Sequence, residues 1–418
     1  MRDGGAGAGR SLHACAVSDT HPMTEKNRNR VRAFCRFAIV YVLLFVCAGN
    51  ITNSMLLKWG FRDDQKGTFA TSYSLVGMMN GDAPKPFVYR SSFPKAAKAL
   101  AERLDGATRD KLFKSISRHD SLRNAYFTSV PGEYWTPVVA IVYHLTYIAI
   151  VLSTLFALLL VYKLARLHGL SFGHSVGFLA AFSFVYPLTF QQGGYYYDFF
   201  ELLGVLGACY FLLTKRLLAC TLMIAVFSLN KETFFLVPLA LFFLHDRDVA
   251  MFKRLMLLVL QLGICVATRQ FIMSGYGANA GGFVEYHVWD NIRFWLNPAS
   301  YLSFYNLIGK GIFTPSLENP LMLVPLAVFF RAAWRATPGR YRAYFGAAFM
   351  PVLVLFFFFG YRDEARNFSV VFPAIVLIAL HGANRFNAIF GGSAVVPDAV
   401  RAPAGRRFDA ATATEAAQ

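Results

Sequence analysis

Long apolar runs decide the class of this chain before any single residue does. Runs long enough to cross a bilayer lie at about 34–50, 138–162, 171–190, 254–273, 320–334, 343–360 and 368–384, since a span needs roughly 17–25 residues. Another covers 199–213, and 217–244 is apolar except for Asn230-Lys231-Glu232-Thr233 at its centre. With 56% hydrophobic and 16% charged residues, the chain holds more apolar surface than a soluble fold hides, where apolar usage sits near about 45–50%. The sequence predicts an all-α polytopic membrane protein.

The 217–244 run reads either as one long helix or as a hairpin of two short ones, and charge separates the two. With a hairpin there are about ten transmembrane helices, the first preceded by Lys26, Arg28, Arg30, Arg32 and Arg36. The cytoplasmic loops then hold Lys163 and Arg166, Lys215 and Arg216, Arg247, Lys253 and Arg254, and Arg331, Arg335, Arg340 and Arg342, with Arg385 in the tail. A single helix would put the loops at 247–254 and 331–342 outside, against the tendency of short basic loops to stay in the cytoplasm. The expectation is a multi-pass protein of the plasma (inner) membrane with both termini cytoplasmic. Residues 51–137 form a large first outer loop, 274–318 a second, and 191–198, 230–233 and 361–367 are short outer turns. Each hairpin arm has about 13 residues, about 20 Å against a roughly 30 Å core, so its turn is expected at membrane depth beside a protein-lined cavity.

Residues 1–33 are expected to be a disordered cytoplasmic tail, 34–388 the transmembrane domain with its loops, and 389–418 a second disordered cytoplasmic tail. Met23 stands as a natural start, which would make 1–22 an over-long reading of the gene. The net charge of +17 is spread over loops beside spans instead of one soluble domain, so no nucleic-acid partner is expected. The six cysteines avoid the two long polar loops, which implies no disulfide framework. No cysteine-histidine pair has metal-ligand spacing, and neither a metal nor another cofactor is expected.

In the first outer loop, Arg62-Asp63-Asp64-Gln65-Lys66 follows span 1 and Pro84-Lys85-Pro86-Phe87-Val88-Tyr89-Arg90 comes after it. Ala97, Leu100, Leu104, Leu112, Phe113 and Ile116 then recur at near-helical spacing over 94–116, as in a helix lying on the membrane surface. Its charges either meet lipid phosphate or are solvated. The second loop is dense in aromatics, Phe283, Tyr286, Trp289, Phe294, Trp295, Tyr301, Phe304 and Tyr305. These suit a belt at headgroup level, or a wall for sugar rings or an isoprenoid chain.

Three charged clusters interrupt the apolar runs: Asp198 and Glu201, Lys231 and Glu232, and Arg362-Asp363-Glu364-Ala365-Arg366. An ionised group in hydrocarbon costs at least about 2.5–3.5 kcal/mol, so such residues are paired, solvated in a cavity, or functional. The acids are accounted for simply: each begins a helix and complements its dipole, and Asp198 and Glu201, spaced i,i+3, share a face. The bases are not, because Lys231, Arg362 and Arg366 sit at the same positive helix ends. Either the neighbouring acids or a bound phosphate must neutralise them.

A cytoplasmic N-terminus, a large first outer loop with carboxylates just after span 1, a surface helix in that loop and outward polar clusters resemble the GT-C superfamily of integral-membrane glycosyltransferases. The resemblance covers the layout of 34–384, with Asp63-Asp64 at the place of the family's first-loop Asp. It implies a polyprenyl-phosphate-linked sugar as donor and a lipid-linked glycan or other envelope acceptor. It also implies inverting transfer in which a carboxylate takes the acceptor proton. Asp63 or Asp64 would be that base, and Arg90, Lys231, Arg362 and Arg366 would surround the phosphate. Asp198, Glu201, Glu232 and Glu364 would hold those cations, bind the acceptor, or include the base. A Wzy-type polysaccharide polymerase and a non-enzymatic lipid or glycan transporter or flippase are the alternatives.

Overall fold

The computed structural model describes residues 25–59, 74–190, 194–246, 248–282, 284–306 and 313–389. Asp63, Asp64 and Phe283 lie outside the described residues. The described residues up to Val42 belong to one compact unit and those from Leu43 to another. The first is the leading part of α1 (Glu25–Trp59), where Phe37 stacks on Tyr41 one turn on, centroids 6.2 Å apart. α1 begins well before the expected boundary at 34. Residues 25–33 contain no Gly or Pro and are rich in Glu, Lys and Arg, all good helix formers, and Glu25 in the first turn complements the dipole.

The first loop is folded over its described residues from 74 on. It holds α2 (Leu75–Asn80), a 3-10 turn (Phe87–Arg90), α3 (Ser92–Arg103), α4 (Gly106–Arg118) and α5 (Ser121–Tyr126). The single helix expected over 94–116 is two helices, because Asp105 caps the second: its carboxylate accepts from the Thr108 amide at 2.9 Å. α3 packs along α6 and buries Pro94, Ala97 and Ala101, whereas α4 buries none of its residues.

The apolar body follows as α6 (Pro137–Leu167), α7 (Phe172–Val185, continued by a 3-10 turn Tyr186–Phe190), α8 (Tyr196–Leu213), α9 (Leu217–Ser228), α10 (Leu236–Phe242) and α11 (Met251–Ser274). The second loop carries α12 (Val288–Leu296) and a two-stranded antiparallel hairpin, β1 (Phe304–Asn306) with β2 (Phe313–Pro315), Tyr305 opposite Thr314. This hairpin is the one departure from all-α structure among the described residues. α13 (Pro320–Ala336), α14 (Gly339–Phe359), a 3-10 stretch (Ala365–Val371) and α15 (Phe372–Ile389) are the last described elements.

Among the described residues seven helices are long and apolar enough to cross a membrane, which fits a membrane protein. The 217–244 run is indeed two short helices with Asn230 and Lys231 at the bend, and α9, with 12 residues, is only about 18 Å long. α8 lies at the centre, packed by α6, α9 and the 365–371 stretch. It approaches α9 so closely that a Cβ on Gly204 would stand 2.6 Å from the Phe227 ring.

Two polar ends result. At one, the basic loops meet: Lys215 lies 3.6 Å from Asp246, Arg340 pairs with the same carboxylate, and Arg254 donates to the Asp246 carbonyl at 2.6 Å. Asn384 donates to the His168 carbonyl at 2.9 Å, and His168 packs on Tyr341. The loops that charge placed together in the sequence therefore do share one end. The other end is built by the first loop and the charged clusters.

Candidate functional site

The three charged clusters converge with Arg90 in one network at that second end. α8 supplies the floor. Asp198, in its first turn, accepts the Tyr195 amide at 2.9 Å, which seals the helix start. Glu201 lies one turn on, on the same face, and Lys231 reaches both: its ammonium donates to Asp198 at 3.2 Å and to Glu201 at 2.7 Å. The Thr233 hydroxyl donates to the other Glu201 oxygen at 2.6 Å, and the Asn230 amide donates to the Tyr197 carbonyl at 2.7 Å. The bend of the hairpin is thus pinned to the start of α8 by its own polar residues. These side chains are sealed: Lys231 is 4% exposed, Asp198 1% and Glu201 0%.

Arg366, on the stretch after α14, enters from the side, 3.5 Å from Asp198 and 2.8 Å from Glu364, with its guanidinium 5.2 Å from the Tyr195 ring centre. Asn367 holds the second Glu364 oxygen at 3.3 Å.

Arg90 closes the site from the first loop. Its guanidinium grips Glu232 through two nitrogens, donates to the Tyr197 hydroxyl at 2.8 Å and lies over the Tyr197 ring at 4.6 Å. The Tyr196 hydroxyl donates to its carbonyl. Burial works against its charge, but Glu232 and then Tyr197 more than offset this, so its pKa rises well above the usual arginine value. Arg269, near the end of α11, lies 4.0 Å from Glu232 and 4.4 Å over the Tyr89 ring.

The second loop clasps the first above this network. Asn279 donates to the carbonyls of Gly81 and Ala83 at 2.7 and 2.9 Å, the Lys85 amide donates to Ala280 at 2.8 Å, and the Lys85 ammonium donates to Gly277 at 2.8 Å. Ser91 and Tyr276 share a hydroxyl hydrogen bond of 2.8 Å, and Lys95 lies 4.4 Å over the Tyr276 ring.

Of the expected site residues, Arg90, Asp198, Glu201, Lys231, Glu232, Glu364 and Arg366 share one network. Arg362 does not join it. It is exposed at φ +47, makes no ion pair among the described residues, and has its guanidinium 4.6 Å over the Tyr361 ring. Its amide is held by Asn291, whose oxygen accepts it at 2.6 Å while its nitrogen donates to the Gly360 carbonyl at 2.8 Å. The cations inside are neutralised by neighbouring acids, the first of the two solutions the sequence allowed.

Arg269 and the tyrosines were missed. Apart from Arg254 at its start, Arg269 is the one cation of the apolar run 254–273, and the cost argument that singled out Lys231 applies to it equally. Tyr195 and Tyr197 carried no signal beyond proximity to Asp198. Among the described residues no group of three or more His, Cys, Asp or Glu is arranged to hold a metal ion. Compared with family models, curated proteins and solved structures, the chain matches none.

Proposed function

We propose that this protein is an inverting membrane glycosyltransferase. It takes a sugar from a polyprenyl-phosphate donor and passes it to a lipid-linked glycan or other envelope acceptor on the outer face of the plasma membrane. One observation carries the reading. Among the described residues, four cations and four carboxylates from five separate segments are gathered under the folded part of the first loop, at one end of apolar helices, and the exposed Arg362, four residues before Arg366, makes no ion pair. A purely structural bundle needs no such assembly at the ends of its helices. Ten spans, with α9, α10 and α13 as the three short ones and both termini cytoplasmic, follow from the same basic-loop argument.

Within this reading the network is the scaffold and the chemistry lies at its edge. Glu201 is saturated by Lys231 and Thr233, and Asp198 by Lys231, Arg366 and the Tyr195 amide. Neither has a free oxygen for an acceptor proton, Glu232 is gripped by Arg90 and Glu364 is held by Arg366 and Asn367; Asp63 or Asp64 is the proposed base. Arg362 is the proposed phosphate ligand, its fork suited to two phosphate oxygens.

The test is sugar transfer from a radiolabelled polyprenyl-phosphate sugar by the protein in nanodiscs. Asp63→Asn or Asp64→Asn should cost about 10²–10⁴ in rate with donor binding retained. Arg362→Lys should weaken donor binding at unchanged thermal stability. Wild-type transfer by both Asn variants, with Glu232→Gln inactive, would move the base into the network; no transfer by the parent protein from any such donor would end the reading.

A further inference from the structure

The second loop carries an apolar surface that the charged site does not use. Trp289 is 70% exposed and Leu296 77%, and Leu302, Phe304 and Phe313 are exposed beside them in sequence. Trp289 and Leu296 stand two turns apart on α12, hence on one face, with exposed Arg293 between them. On the opposite face Asn291 is fully buried and ties α12 to the turn before Arg362.

This surface continues that of α14. The His287 amide donates to the Phe358 carbonyl at 2.9 Å, and the Tyr286 ring lies 6.0 Å from Phe358 and 5.8 Å from Phe359. Met350, Val354, Phe357, Phe358 and Phe359 are exposed along that helix, one of the seven apolar enough to cross a membrane. Contiguous apolar patches are not left in water. A face that alternates Trp and Leu with Arg has the composition of a helix lying in the bilayer interface.

We propose that α12 and the strands β1 and β2 after it form a lip embedded in the interfacial layer of the membrane, with Trp289 and Leu296 among the lipid chains and Arg293 and Arg362 at the level of the headgroup phosphates. The occupant is lipid because the patch runs on into the side of α14 that a bilayer would cover. A protein partner on α12 would have to cover that side as well. The lip holds whatever reaction the charged site performs.

The test is tryptophan fluorescence in nanodiscs whose lipids carry bromine at a known depth, comparing the parent protein with Trp289→Phe. The emission lost in the variant should be quenched most by bromine near the headgroup end of the chains and little by aqueous acrylamide. Leu296→Glu should reduce that quenching in a protein that still purifies as a monodisperse species. Quenching by acrylamide but not by brominated lipid would overturn the proposal. So would protection from both that disappears on dilution, the mark of a second copy, or brominated-lipid quenching unchanged by Leu296→Glu.

Discussion

Replacing Lys231 by Met tests whether the inner network is sealed. Met keeps most of the length of the side chain and removes the charge. Asp198 then retains the Tyr195 amide at 2.9 Å and Arg366 at 3.5 Å, but Glu201 retains only the Thr233 hydroxyl at 2.6 Å. Glu201 is 0% exposed, so water cannot replace the lost partner. Breaking a buried pair from one side costs about 3–5 kcal/mol, against about 0–1 kcal/mol for an exposed pair. The origin of that cost is the stranded carboxylate, which makes a second variant decisive. Adding Glu201→Gln removes the charge while its carbonyl still accepts from Thr233, so the double variant should recover most of the loss and fall within about 1–2 kcal/mol of the parent, near the net worth of a hydrogen bond. Unfolding free energies of the four proteins in one detergent or nanodisc system form the cycle. A loss under about 1 kcal/mol for Lys231→Met, or a double variant as unstable as the two single losses added, would refute the sealed network.

Two further outcomes concern the loops. Gly281 sits at φ +91 with its Cβ position 2.6 Å from the Lys85 carbonyl oxygen, so Gly281→Ala should open the clasp and raise amide hydrogen exchange over 81–91 and 276–282 while leaving α6 and α8 protected; unchanged exchange would refute the clasp. Glu318 is buried before α13, and burial, reinforced by the nearby Asp363 charge, raises its pKa above the usual carboxylate value. A raised acid favours the folded state below the unfolded pKa of about 4.3 and loses that contribution as pH rises through the folded value. Glu318→Gln should therefore raise the melting temperature at pH 8 and not at pH 4, and an equal shift at both would refute it.

The helical class and the break within 217–244 could be read from charge and run length. Two short helices at 217–244 followed from the placement of Lys215, Arg254 and Arg340, and those residues do gather around Asp246. The sharing of Lys231 by Asp198 and Glu201 was half visible, because i,i+3 spacing puts both acids on one face, but nothing in the sequence names the cation that comes back from 30 residues away. Arg90 was visible only as an arginine after a Pro-rich turn; its grip on Glu232 depends on how the first loop folds over the helices, a long-range event that local patterns do not encode. The break between α3 and α4 was legible and overlooked, since Asp105 with Thr108 three residues later is a helix start within the 94–116 pattern. The β-hairpin had no such signal: its strands are three residues each and the aromatic content of the loop masks any alternation.

The balance of charge within the network bears on where a ligand phosphate would act. The outer part, Arg90 and Arg269 against Glu232, carries one excess positive charge; the inner part, Lys231 and Arg366 against Asp198, Glu201 and Glu364, carries one excess negative charge. The inner acids are also the more deeply buried, with Asp198 at 1% and Glu201 at 0% exposure against 27% for Glu232. Within the network an anion is thus repelled from Asp198 and Glu201 and attracted to the outer part, where it would compete with Glu232 for Arg90, whereas the phosphate proposed for Arg362 stays outside the network. Arg90 lies on the 3-10 turn that leads into α3, and the clasp at Lys85 and Ser91 anchors that turn to the second loop. In the proposed reaction, an anion that draws Arg90 away from Glu232 would therefore pull on the turn that leads into α3 and on its clasp to the second loop.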